Sequence, residues 1–169
     1  MAARAAIVRT PRASSALVRT ARVVVSGCVM IAAGLMPAAD ASALDFRSAG
    51  DAPVVLYDAP STKATRILLL SPGSPVEVMT ALDGWLRVRE PGGRLAWAES
   101  KAVVTRRTLM VSVASATIRA TADAAATPVF EAKQGVILEL LEPVAGGWSR
   151  VKHRDGLSGF VRTSEVWGL

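Results

Sequence analysis

The sequence is poor in the residues that most often build reactive sites. It contains one cysteine, Cys28, one histidine, His153, and only 5% aromatic residues. A single cysteine excludes an intrachain disulfide, and a single histidine excludes a His-rich zinc site, because such sites need several histidine or carboxylate ligands. The sequence therefore predicts no metal and no cofactor, and a hydrophobic core alone must stabilise the fold.

The excess of positive charge is concentrated at the N-terminus. The whole chain has a formal net charge of +6, but residues 1–43 contain five arginines and one acid, Asp40. Residues 44–169 hold the remaining 15 basic and 13 acidic residues. A nucleic-acid binder carries its positive charge on the folded domain. The near balance in 44–169 therefore argues against nucleic acid as a partner.

Residues 1–43 have the three parts of a secretory signal peptide. An arginine-containing stretch without acids precedes the apolar run Val23–Met36, and Ala41-Ser42-Ala43 supplies the small residues that a signal peptidase accepts. The apolar run is shorter than the ~20 residues that span a bilayer as a helix, so we expect no retained membrane anchor. The prediction is cleavage after Ala43 and export to the periplasm.

Cys28 has an alternative interpretation as a lipidated cysteine. It follows Val25-Ser26-Gly27, as in a lipobox. A lipobox has its apolar run before the cysteine, whereas here most of the apolar residues follow it. The sequence therefore favours cleavage after Ala43 over lipidation of Cys28.

The rest of the sequence is an internal repeat. The segment Gly84-Trp85-Leu86-Arg87-Val88-Arg89 aligns with Gly147-Trp148-Ser149-Arg150-Val151-Lys152 at an offset of 63 residues. Upstream, an offset of 62 aligns Leu56 with Ile118. The repeat predicts two domains, residues 44–106 and 107–169.

Each copy consists of short strand patterns separated by turns. In the first copy, Val54–Tyr57 and Ile67–Leu70 are apolar runs, and Asp83-Gly84 is a strong signal for a tight hairpin, which Gly146-Gly147 repeats in the second copy. The alanine-rich segment Ala122–Ala126 is too short to be stable as a lone helix, so it is assigned to a loop. Short strands in copies of this size favour an all-β fold of two small barrels. Barrels this small bury little surface alone, so we expect them to pack together.

The repeated motifs resemble the bacterial SH3-like (SH3b) domain. The motifs are Gly84-Trp85-x-x-Val88 followed by Trp97-Ala98, and Gly147-Trp148-x-x-Val151 followed by Gly159-Phe160-Val161. The first copy departs from the pattern, because it has Ala96 where the second has Gly159. The resemblance implies two tandem SH3-like β-barrels of five or six strands each. It also implies a place in the cell envelope and binding of peptidoglycan or another envelope component.

The candidate ligand-binding residues lie on two matching strands. Strand alternation places an aromatic ring and two cations on one face of each strand. Such a face can stack on a sugar or peptide and pair with a carboxylate. In the alternative interpretation, each tryptophan closes the barrel core and the cations form an ordinary solvated face. The residues concerned are Trp85, Arg87 and Arg89 in the first copy and Trp148, Arg150 and Lys152 in the second.

Three further aromatic residues have different expected positions. Tyr57 aligns with Arg119, so it is a candidate for lining a groove in the first barrel only. Trp97 and Phe160, on the next predicted strand of each copy, are expected to lie in the cores.

The sequence predicts no catalytic residues. Ser149 or Ser158 with His153 and Asp155 forms a possible triad, but these residues lie in one hairpin and lack a nucleophile elbow. His153 is expected to be a solvated residue beside a turn. The sequence thus predicts a non-enzymatic binding module. The alternatives are a periplasmic adaptor that binds another protein and, third, a cryptic wall hydrolase.

Overall fold

A computed structural model of the protein describes residues 44–169, apart from the side chains of residues 143 and 144. The predicted signal peptide and Cys28 lie outside the described residues. Within residues 44–169, no helix is long and apolar enough to cross a membrane.

The described chain forms two seven-stranded antiparallel sheets, each bent around its own core. Neighbouring strands follow the order β3-β2-β6-β5-β4-β1-β7 in barrel 1 and the equivalent order β10-β9-β13-β12-β11-β8-β14 in barrel 2. In barrel 1 the strands are β1 Asp45–Ala49, β2 Val54–Tyr57, β3 Arg66–Leu70, β4 Pro75–Leu82, β5 Trp85–Arg89, β6 Leu95–Glu99 and β7 Val103–Val104. In barrel 2 they are β8 Thr108–Val111, β9 Ser115–Arg119, β10 Pro128–Lys133, β11 Ile137–Ala145, β12 Trp148–Lys152, β13 Ser158–Arg162 and β14 Val166–Trp167. The all-β prediction of two tandem barrels is confirmed.

The hairpin turns are those that the sequence predicts. Asp83 and Gly84 connect β4 to β5 with φ angles of 33° and 81°. Gly146 and Gly147 connect β11 to β12 with φ angles of 58° and 81°. Two successive positive φ angles give a turn whose twist matches that of the flanking strands, which explains the glycines at this point of both copies.

The strand count exceeds the five or six that the resemblance implied. β7 and β14 contain two residues each, after 3-10 turns at Ser100–Ala102 and Thr163–Glu165. The prediction missed β1, which has no β-branched residue, and it also missed β8, although β8 contains Thr108 and Val111. They form by pairing with β4 and β11, and each also pairs with a two-residue strand.

The two barrels contact each other directly, as expected for domains of this size. The Phe46 ring on β1 meets the Trp167 ring on β14 edge to face, with ring centroids 5.0 Å apart. The Ser48 and Thr108 hydroxyl oxygens, both buried, lie 2.7 Å apart, and the Thr108 hydroxyl donates to the Gly73 carbonyl at 2.7 Å. Apolar contact and buried hydrogen bonds thus hold β1 and β4 against β8 and β14.

Candidate functional site

The outer surface of barrel 1 carries a cluster of aromatic and charged side chains on three adjacent strands. Alternation on β5 and β6 places Leu86, Val88, Ala96 and Ala98 in the core. The intervening side chains therefore face outward. We define the outer aromatic face as Tyr57 on β2, Trp85 and Arg87 on β5, Trp97 and Glu99 on β6, and Lys101 in the turn that follows.

Strand pairing brings the three aromatic residues together. Tyr57 lies opposite Trp97 across β2 and β6, and Trp97 lies opposite Arg87 across β6 and β5. The rings of Tyr57 and Trp85 pack edge to face, with centroids 5.5 Å apart and planes at 87°. Tyr57 is only 6% exposed, because the cluster itself covers it, while Trp85 and Trp97 remain half-buried. The face therefore presents two partly exposed indole rings over a buried tyrosine.

The charges on this face are of both signs. The Lys101 ammonium lies 2.7 Å from a Glu99 carboxylate oxygen, and this hydrogen bond raises the pKa of Lys101. Glu99 lies opposite Trp85 across the strand pair. Arg87 is exposed and forms no ion pair within the described part of the chain. Its guanidinium is therefore available beside the Trp97 ring for an anionic group of a ligand.

Arg89 is engaged elsewhere. It lies opposite Glu77 across β4 and β5, and its Nε donates to a Glu77 carboxylate oxygen at 2.7 Å, with a second contact through Nη2. Glu77 is 3% exposed, so Arg89 is the counter-ion of a buried carboxylate. Its role in ligand binding stays a prediction. The Arg89 guanidinium already bonds to Glu77 within the fold.

The expectation that Trp97 and Phe160 lie in the cores was wrong. Both side chains are half-buried and neither belongs to a core cluster. The core positions on these two strands belong to small and β-branched residues: Ala96 and Ala98 on β6, and Gly159 and Val161 on β13. A narrow barrel has room for residues of that size at these positions, so the large aromatic rings face outward.

On the equivalent face of barrel 2, an arginine covers the tryptophan ring. The Arg162 guanidinium lies over the Trp148 ring, 4.9 Å from its centroid, and Trp148 is only 9% exposed. Arg119 replaces Tyr57 and donates to the Ala126 carbonyl at 2.7 Å. Arg150 pairs with Glu142 at 2.7 Å. Barrel 2 thus has the same arrangement of strands, with the Trp148 ring covered and Arg119 and Arg150 bonded within the fold, while the outward ring of Phe160 is half-buried.

The candidate Lys152 and the histidine expected beside a turn, His153, lie at the end of β12, outside the outer aromatic face. Lys152 is the last residue of β12, and His153 follows it with its Nδ1 atom 3.0 Å from an Asp155 carboxylate oxygen. The Leu157 amide donates to the other Asp155 oxygen, and together these contacts hold the pKa of Asp155 below its usual value. Residues 44–169 contain no group of three His, Cys, Asp or Glu side chains placed to hold a metal ion.

Among the described residues, the possible Ser-His-Asp triad is not assembled. Ser149 occupies the position of Leu86 and points into barrel 2, where it is 1% exposed. Its hydroxyl has no hydrogen-bond partner among the described residues. A serine enclosed in a barrel core is inaccessible to a substrate, while Ser158 is exposed on β13.

Comparison with known families gives two matches along the chain. The family model of the bacterial SH3 domain matches residues 50–104 and again residues 112–168. These ranges correspond to the two barrels and together cover most of the described residues. No curated protein matches the sequence.

Similar solved structures include two proteins from Trichomonas vaginalis and one from Bacillus cereus. NlpC2 from T. vaginalis is 16% identical, with a TM-score of 0.34 over 75% of this chain and 49% of that chain. NlpC1 from T. vaginalis is 17% identical, with a TM-score of 0.35 over 75% of this chain and 46% of that chain. An NlpC/P60 family protein from B. cereus is 14% identical, with a TM-score of 0.34 over 72% and 55%. The chain spans about half the length of these structures.

Proposed function

Because the chain belongs to the bacterial SH3 domain family through both of its barrels, we propose that it is a non-enzymatic binding module that recognises peptidoglycan. Domains of this family commonly bind cell-wall components. The observation that carries the proposal is the outer aromatic face of barrel 1. Two partly exposed indole rings stand beside a guanidinium that forms no ion pair within the described residues, while in barrel 2 the equivalent of Trp85 is covered by Arg162.

The chemistry of this face fits a polymer of sugars and short peptides. Indole rings stack on the apolar faces of sugar rings and on peptide groups, and aromatic residues with arginine dominate the binding energy of many interfaces. Arg87 can pair with a peptide carboxylate, and Glu99 with Lys101 offers an acceptor and a donor at the far side of Trp85.

Pelleting with purified sacculi tests the proposal. The test uses residues 44–169, which contain both cores and all the strands that the structure describes. We expect the chain to pellet, and Trp85→Ala to raise the apparent Kd about fivefold to tenfold, as loss of an aromatic contact does. Arg87→Ala, an exposed position, is expected to weaken binding and to reduce its dependence on salt.

Trp148→Ala is the matched control, because it removes the equivalent ring from a face that Arg162 already covers. It is expected to change the apparent Kd less than about twofold. Thermal unfolding of each variant separates loss of binding from loss of folding. Failure of the wild-type chain to pellet at low and moderate salt would exclude wall binding and point to an adaptor with a protein partner. Equal effects of the two tryptophans would exclude barrel 1 as the principal site.

The proposal includes export to the periplasm, where peptidoglycan is accessible. It rests on the signal-peptide pattern of residues 1–43 and on the predicted cleavage after Ala43. Expression in a bacterium is expected to give a periplasmic form that begins at Leu44. Intact-mass measurement of the fractionated protein checks this. A cytoplasmic form that retains residues 1–43 would contradict it.

A further inference from the structure

A cleft of about 690 Å³ lies between the two barrels, away from the outer aromatic face. Barrel 1 contributes Asp51 and the turn 71–73, and barrel 2 contributes the turn 135–137 and the end of β12. Ligand sites are commonly concave, of several hundred Å³ and placed at domain interfaces. The cleft has the size and the place of a small-molecule site.

The walls of the cleft are held in position by the contact between the barrels. Thr108 lines the cleft, and its hydroxyl donates to the Gly73 carbonyl of the opposite barrel at 2.7 Å. The Arg106 guanidinium bonds to Asp51 at 3.0 Å across the segment that joins the barrels. A cleft whose walls are already fixed loses little conformational entropy when it binds a ligand.

Two cations at the mouth of the cleft have no ion-pair partner. Lys152 and Arg154 are both exposed, and neither forms an ion pair within residues 44–169 as the structure describes them. The other charged groups in the lining are engaged or of opposite sign. Arg106 pairs with Asp51, His153 bonds to Asp155, and Glu139 is exposed.

Barrel 1 provides an internal comparison for Lys152. Glu139 and Lys152 lie opposite each other across β11 and β12, at the positions that Glu77 and Arg89 occupy in barrel 1. In barrel 1 this pair is a closed ion pair with a buried carboxylate. In barrel 2 the two groups line the cleft without bonding to each other. Both are therefore free to bind a third molecule.

We propose that this cleft binds a short zwitterionic peptide of about the size of a dipeptide. Lys152 and Arg154 hold its carboxylate, and Glu139 accepts a hydrogen bond from its ammonium group. Carboxylates of the protein on the same walls disfavour a ligand that is purely anionic, such as phosphate, because like charges repel. The alternation of cations with carboxylates matches a molecule that carries both signs. This site is separate from the outer aromatic face and stands whether or not that face binds peptidoglycan.

Titration with alanyl-alanine, followed by NMR chemical shifts of residues 44–169, tests the proposal. We expect saturable shifts in the amides of residues 135–137 and 152–154. Lys152→Ala is expected to raise the Kd about fivefold, and the double variant Lys152→Ala/Arg154→Ala more than about tenfold. Lys133→Ala is the matched control, because it removes the same charge from an exposed position outside the lining, and it is expected to leave the Kd unchanged.

Capped probes and inorganic phosphate identify the chemistry that is recognised. The N-acetylated dipeptide and the dipeptide amide each lack one charge and are expected to bind more weakly than alanyl-alanine. Absence of saturable shifts with the dipeptide would overturn the proposal, as would equal binding of the capped forms. Phosphate that binds more tightly than the dipeptide and depends on Lys152 would overturn the peptide assignment and indicate a general anion site.

Discussion

Replacing Arg89 by alanine is expected to lower the free energy of unfolding by about 2–3 kcal/mol. Removing one partner of a buried ion pair leaves a charge without compensation, which costs about 3–5 kcal/mol when both groups are fully buried. Glu77 is 3% exposed, but the Arg89 side chain is 43% exposed, so part of the cost is relieved by water. The measurement is urea denaturation followed by tryptophan fluorescence.

Two variants separate this explanation from a general loss of packing. Glu77→Leu/Arg89→Leu removes both charges and is expected to be more stable than Arg89→Leu alone, because no buried charge is left unpaired. Arg87→Ala, on the same strand and exposed, is expected to change stability by less than about 0.5 kcal/mol. If Arg89→Ala instead leaves stability unchanged and weakens sacculus binding, Arg89 acts as a ligand contact.

Replacing Gly159 by alanine is expected to destabilise barrel 2 by about 2–3 kcal/mol. A Cβ atom at Gly159 would lie 2.6 Å from the Arg119 carbonyl oxygen and 2.6 Å from Cγ2 of Ile118. Both distances are below van der Waals contact, and one of the two atoms belongs to the backbone of β9. The strands β9 and β13 must therefore separate to accommodate the methyl group. Thermal unfolding and urea denaturation measure the loss, and Ser158→Ala, exposed next to it, is the control.

Barrel 1 indicates how the clash at Gly159 can be relieved. It has Ala96 at the equivalent position and Leu56 in place of Ile118, and both are core residues. Leucine has no branch at Cβ, so it lacks the Cγ2 atom that obstructs the alanine in barrel 2. The double variant Ile118→Leu/Gly159→Ala is expected to recover part of the lost stability, because the contact with the backbone oxygen remains. A single Gly159→Ala variant as stable as the wild type would contradict the steric argument.

The comparison of the two barrels also explains why the tryptophans of equivalent sequence motifs differ in exposure. Trp85 and Trp148 occupy the same position after the hairpin turn, and the sequence motif around them is the same. A cross-strand neighbour decides their exposure, since Trp85 lies opposite Glu99 and Trp148 lies opposite Arg162. An arginine at that position reaches over the ring, whereas Glu99 pairs with Lys101 and leaves the ring accessible.

The sequence by itself determined the features that depend on local pattern. The internal repeat, the strands β2 and β5, and the hairpins at Asp83-Gly84 and Gly146-Gly147 follow from alternation and from the φ angles that a two-residue turn requires. The same alternation placed Trp85 with Arg87 on one face. These conclusions need only neighbours along the chain.

Only the tertiary structure decided which of these side chains are available to a ligand. β1, whose sequence has no β-branched residue, forms because it pairs with β4 and β7 and packs against barrel 2. Arg89 is occupied by Glu77, twelve residues away, and the cleft beside Lys152 exists only where two barrels meet. Exposure and charge pairing depend on residues that are distant in sequence, and for that physical reason periodicity cannot predict them.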